Sequence, residues 1–157
     1  VWIVFDMAEL SQKKPATLQD LFGGTPLQFI VPTTPGGVQI IPNQPPGFDW
    51  VDVVDLTLPQ VREFAEGCHA ETVAGLRVFA EEGPIIRASK LNAAGIANYR
   101  HFQGRVTKRT RTITKNRHAF LLGWDDWSTA ENQAAGCGHY GVTAATHKSL
   151  REFFGLD

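Results

Sequence analysis

Between positions 84 and 124 the chain carries nine bases and not one acid: Arg87, Lys90, Arg100, Arg105, Lys108, Arg109, Arg111, Lys115 and Arg117. The remainder is acidic, with a net charge of -7 over 1–83 and -3 over 125–157, so the overall -1 conceals a block of +9. Nine like charges within 41 residues repel one another and cannot be buried together. Any fold must turn them outward or pair them with acids from other parts of the chain. A localised positive field of this kind most commonly meets a polyphosphate backbone, the alternatives being a solvated face or one docked on the chain's own acids. With 43% hydrophobic and 20% charged residues, the 157-residue chain has apolar mass for the core of one domain or two small ones.

No apolar run approaches the ~20 residues that span a bilayer, so a soluble, cytoplasmic protein without secretory signal or membrane partner is expected. Cys68 and Cys137 are too few for a disulfide framework.

Residues 1–56 are rich in turn formers, among them Gly23-Gly24, Pro35-Gly36-Gly37 and Pro45-Pro46-Gly47. Short β-type runs lie between them at 1–5, 27–31, 38–41 and 50–54, with helical pattern only over 16–22. This predicts a small β-rich or irregular segment that serves dimerisation or partner contact. Asp49, Asp52 and Asp55 lack a further ligand pattern and read as solubilising and capping carboxylates.

From Thr57 the apolar period becomes helical. Thr57 caps a helix with Pro59 in its first turn, and Leu58, Val61, Phe64 and Ala65 form its stripe up to Gly67. A second helix starts near Ala70 and stops at Gly83-Pro84. Ile85 and Ile86 read as buried extended chain, and 88–94 as a short helix closed by Gly95. Asn98 caps a third helix over 98–108, in which Tyr99, Phe102 and Val106 share one face. At 100° per residue, Arg100, Gly104, Thr107 and Lys108 fall opposite Phe102, with His101 and Gln103 on the flanks. Basic residues then alternate with β-branched ones over 109–114, Lys115-Asn116 turns, and 119–124 is apolar, which predicts a β-hairpin with a basic tip. A short strand at 140–142 and a closing helix over 144–154 complete the reading.

This order of elements, with 88–96 as supporting helix and turn, 98–108 as recognition helix and 109–124 as wing, resembles the winged helix-turn-helix DNA-binding domains over 57–157. The chain differs from the commonest of them in opening the recognition helix with Tyr99 and Phe102. The resemblance implies an α+β fold and a noncatalytic, sequence-reading protein of duplex DNA, a transcription regulator among the possibilities, often a homodimer on paired half-sites. It casts Arg100, His101, Gln103 and Lys108 as base readers in the major groove. Lys90, Arg105, Arg109, Arg111, Lys115 and Arg117 are cast as phosphate clamps.

Other chemistry has weaker support. Cys68-His69 and Cys137-Gly138-His139 hold zinc-type donors without the usual spacing between ligands, and His69-Ala70-Glu71 lacks the downstream half of a deaminase motif. No phosphate-binding glycine loop is present, so neither metal nor cofactor is expected. Asp125, Asp126 and His139 adjoin the basic block and define one alternative, a metal-dependent nucleic-acid-processing enzyme. Another is a module whose basic face binds RNA or an acidic protein, with Tyr99, Phe102 or Trp127 stacking on bases.

Overall fold

The computed structural model describes residues 44–157, and the elements expected at 1–5, 16–22, 27–31 and 38–41 lie outside that range. The chain forms α1 (Leu58–Glu66), α2 (Ala70–Glu82), β1 (Ile85–Arg87) and a 3-10 segment (Ala88–Ala94). These are followed by α3 (Tyr99–Thr114), β2 (Gly123–Trp124), α4 (Ala130–Ala135), β3 (His139–Gly141) and α5 (Ala144–Phe154). The strands make one antiparallel sheet in the order β1-β3-β2, with Tyr140 opposite both Ile86 and Trp124. The fold is therefore α+β, helices packed with a small antiparallel sheet. None of the helices among the described residues is long and apolar enough to cross a membrane.

Local chemistry sets the helix ends. Gln60 accepts a 3.0 Å bond from the Thr57 backbone N–H, which fixes the start of α1 with Pro59 in its first turn. Gly95, at φ 79°, takes the left-handed conformation that ends the 3-10 segment, and the Asn98 side chain accepts from the His101 N–H to start α3. The Thr129 and Thr143 side chains cap α4 and α5 in the same way.

The core gathers Val61 and Phe64 of α1, Leu76 and Phe79 of α2, Leu91 of the 3-10 segment, Phe102 and Val106 of α3, and Leu150 of α5, with Ile96, Leu121 and Leu122 from the connections. Each such side chain stabilises the fold by roughly 1.5–3 kcal/mol through its removal from water. Gly75 brings α2 close to α3, because a Cβ there would collide with the Phe102 ring and Ile96. Burial of Phe102 against α2 and of Val106 in the same core is what turns the Arg100–Lys108 side of α3 outward. Leu56 also belongs to this core, and its N–H donates 2.9 Å to the Thr146 hydroxyl.

Two expectations are corrected. The run at 50–54 is not a strand: Val51 and Asp52 turn, Asp52 at φ 59°, and only Asp49 and Val53 make isolated pairings, with Trp124 and Phe120. The basic wing hairpin over 109–124 does not form, because α3 continues to Thr114 and only Gly123 and Trp124 pair as strand. The reason is that Val106, Thr110 and Ile113 lie four and three residues apart and are all buried, so the helical period governs where alternation suggested a strand. The Thr110, Thr112 and Thr114 hydroxyls each bond the carbonyl four residues back, which satisfies them within the helix. Lys115, at φ 57°, ends α3 at the predicted turn. Among the described residues the only hairpin-like pair is β2 with β3, joined by residues 125–138.

Candidate functional site

The bases of the central block separate into two groups by what they touch. Arg87 pairs with Glu131 at 3.0 Å, Lys90 with Glu82 at 2.8 Å and Arg105 with Glu71 at 3.0 Å. Arg109 reaches back to α1, donating to the carbonyls of Glu63 and Phe64 and filling the space beside Gly67. These four side chains hold the fold together, since each neutralises an acid or caps a helix end. Part of the acidic first half thus folds onto the basic block.

Arg100, Lys108 and Lys115 have no acidic partner among the described residues and are exposed. Arg117 is exposed too and donates to the His118 ring at 3.0 Å. Arg111 is held more firmly: its Nε donates 3.2 Å to the Ala119 carbonyl, and its guanidinium stands 5.1 Å from the centroid of the Phe120 ring. Together these five cations line a shallow groove of about 830 Å³ along the outward side of α3, with Phe120 in its wall and no acid in its lining. A second groove, of about 490 Å³, runs along the other flank past Asn98, His101 and Arg105. Arg100, Gly104 and Lys108 line both and so form the ridge between them. Along α3 the rise from Arg100 to Lys115 is about 22 Å.

Of the expected base readers, Arg100 and Lys108 stand on the ridge, Gln103 lies in the first groove and His101 in the second. Gln103 is tied down, since its Oε1 accepts a 3.2 Å bond from the Tyr140 hydroxyl. Burial pushes the Tyr140 pKa up to about 12, so the phenol stays a neutral donor there. The expected clamps do not stay together: Arg111, Lys115 and Arg117 line the first groove, Arg105 lies at the edge of the second with its guanidinium on Glu71, and Lys90 and Arg109 line neither.

The acids after the block form a separate polar cluster. The Asp125 side chain, 3% exposed, accepts from the His139 backbone N–H at 2.7 Å, the His139 Nδ1 at 2.7 Å and the Asn132 amide at 2.9 Å. Burial by itself would raise its pKa, but these donors outweigh it and hold the carboxyl below the usual range. Asn132 also donates to the Asp126 carbonyl and accepts from Arg87 at 3.1 Å, which pins α4 to the sheet. Trp127, carried by the same segment, packs against Tyr99 and Tyr140 with ring centroids 6.1 and 5.2 Å apart. His139 and Tyr140 are neighbours on β3 and point to opposite faces, so the Asp125–His139 pair lies away from the Tyr140–Gln103 contact. Sequence reasoning singled out Asp125 and His139 but not their pairing, nor Asn132 and Arg87, because contacts across 14 or 45 residues leave no local pattern. Searches of family models, curated proteins and solved structures find no match to the chain.

Proposed function

We propose that the chain is a noncatalytic protein that binds duplex DNA through the outward side of α3. The observation that carries this reading is the selective neutralisation of the basic block. Arg87, Lys90 and Arg105 meet acids of the chain, whereas Arg100, Lys108, Arg111, Lys115 and Arg117 share one acid-free groove. Five cations along one side of α3 and past its C-terminal end suit a phosphate backbone, and an α-helix about 10–12 Å across fits the major groove. Noncatalytic binding is favoured because no carboxylate lines the groove and neither Asp125 nor His139 is among its lining residues.

The order strand, short helix, turn, basic helix, paired strands and closing helix supports a helix-turn-helix of the winged kind, with its hairpin moved to β2 and β3. The connection there, 125–138, contains Asp125, Asp126 and Glu131 and no Lys or Arg, so it is unsuited to phosphate. Lys115 and Arg117, at the C-terminal end of α3, take the clamping role instead. Arg100 and Lys108, expected as base readers, join Lys115 and Arg117 on phosphates, which leaves His101 as base reader beside Gln103, itself limited to its amide N–H groups.

Selection from a random-sequence duplex pool at ~150 mM salt, where weak nonspecific attraction is largely screened, tests the proposal. An enriched motif is expected. His101→Ala should then relax preference at one position at ~1–3 kcal/mol, whereas Arg100→Ala, Lys115→Ala and Arg117→Ala should weaken all sequences alike. No retained duplex overturns the proposal.

A further inference from the structure

Nearly every glycine of the described residues has an internal reason to be glycine. Gly47, Gly95, Gly136 and Gly155 hold positive φ, a Cβ at Gly75, Gly83, Gly123, Gly138 or Gly141 would collide with neighbouring atoms, and one at Gly67 would meet only the end of the flexible Arg109 side chain. Gly104 has neither reason. It sits in the middle of α3, where alanine is the better helix former, and nothing among the described residues lies within 4 Å of the place its Cβ would occupy. Its position is also special. On the ridge between the two grooves it stands one turn from Arg100 and one turn from Lys108, so the ridge dips there and a cation rises on either side.

We infer that Gly104 is a saddle over which the sugar-phosphate backbone of one DNA strand crosses α3 in contact with the helix main chain. This inference rests on the duplex-binding reading and deepens it. Arg100 and Lys108, about 12 Å apart along the helix, hold phosphates on the two sides of the crossing. The strand runs from the groove walled by Arg111 and Phe120 to the groove walled by His101 and Arg105. A single methyl group on the saddle holds the strand away from the helix, lengthens both flanking phosphate contacts and forfeits the packing at the crossing. Gly104 is thus a positioning residue that contributes no charge.

The test is Gly104→Ala, with Arg100→Ala and Lys108→Ala beside it, each measured for thermal stability and for binding to a 20-base-pair DNA duplex. The expected result is a split of signs: Gly104→Ala melts higher than the parent yet binds duplex about tenfold more weakly. Arg100→Ala and Lys108→Ala weaken binding with little change in melting. If Gly104→Ala keeps full affinity while the two charge variants lose it, the saddle is wrong and the duplex-binding reading stands. If the parent itself fails to bind duplex, both fall. Should Gly104→Ala melt lower than the parent, Gly104 has a structural reason inside the protein and the inference is overturned. Gly104→Ser, with its small polar side chain, is expected to weaken binding as alanine does.

Discussion

Replacement of Asp125 by alanine asks how much of the fold depends on one buried carboxylate. Asp125 gathers three donors, the His139 N–H, the His139 ring and the Asn132 amide. The losses are unequal. Asn132 retains the Asp126 carbonyl at 2.8 Å, and the His139 side chain, 18% exposed, can reach water. The His139 backbone N–H is left without its acceptor, which costs about 1–3 kcal/mol, and two weakened charge-assisted bonds add a similar amount. Relief from burying a charge offsets part of this, so the net loss should be about 3 kcal/mol, a large share of a domain's ordinary ~5–15 kcal/mol. Urea unfolding followed by circular dichroism at pH 7 should show a midpoint lower by roughly 1.5 M. The pH dependence provides a second signature. The carboxyl's pKa is lower folded than unfolded, so its stabilisation is present above the unfolded value of about 3.9 and is lost as pH falls through the folded one. The gap between parent and variant should therefore narrow below about pH 4. A loss under about 1 kcal/mol, or a gap independent of acid, refutes the assignment of the β2–β3 connection to this carboxylate.

Three further outcomes follow from the same contacts. Arg109→Ala removes the donors that cap α1, so chemical denaturation should register a loss of about 1–2 kcal/mol while duplex affinity changes only a few-fold. Gly75→Ala drives a methyl group into Phe102 and Ile96 and should lower stability by about 1–3 kcal/mol in a thermal melt, the opposite sign to Gly104→Ala. The His147 imidazole is held below its ordinary pKa by burial, and its Nε2 is buried without a hydrogen-bond partner among the described residues. The unfolded chain thus binds the proton more readily, so stability is full above the unfolded pKa of about 6.5 and falls as pH drops below it. Melting temperatures from about pH 7.5 to 5 should show that fall, and His147→Gln should reduce it.

Much of the fold was legible because its signals are local. The α1 start follows from Thr57 and Pro59, the α2 end from Gly83-Pro84, and α5 from the spaced apolar stripe of Leu150, Phe153 and Phe154. The length of α3 was not legible, since its last turns alternate Arg and Thr in the manner of an edge strand. Only burial of Val106, Thr110 and Ile113 against the core decides for helix. The six residues of α4 are too short to show a period, and what holds them is Asn132, whose partners Asp125 and Arg87 lie elsewhere in the sequence. The composition of the basic side of α3 followed from helical projection. Which charges remain unpaired did not, because Glu71, Glu82 and Glu131 reach their bases only after folding.

The central claim is that the unpaired cations of α3 neutralise DNA phosphates, and the salt dependence of duplex binding tests it most directly. Anisotropy of a labelled duplex, titrated with the chain from about 50 to 200 mM salt, gives log K against log salt. Arg100, Lys108, Arg111, Lys115 and Arg117 together predict a slope of about -4.5, reduced by roughly 2 when Arg100 and Lys108 are both replaced by alanine. A slope near zero, or no binding at the lowest salt, contradicts the account.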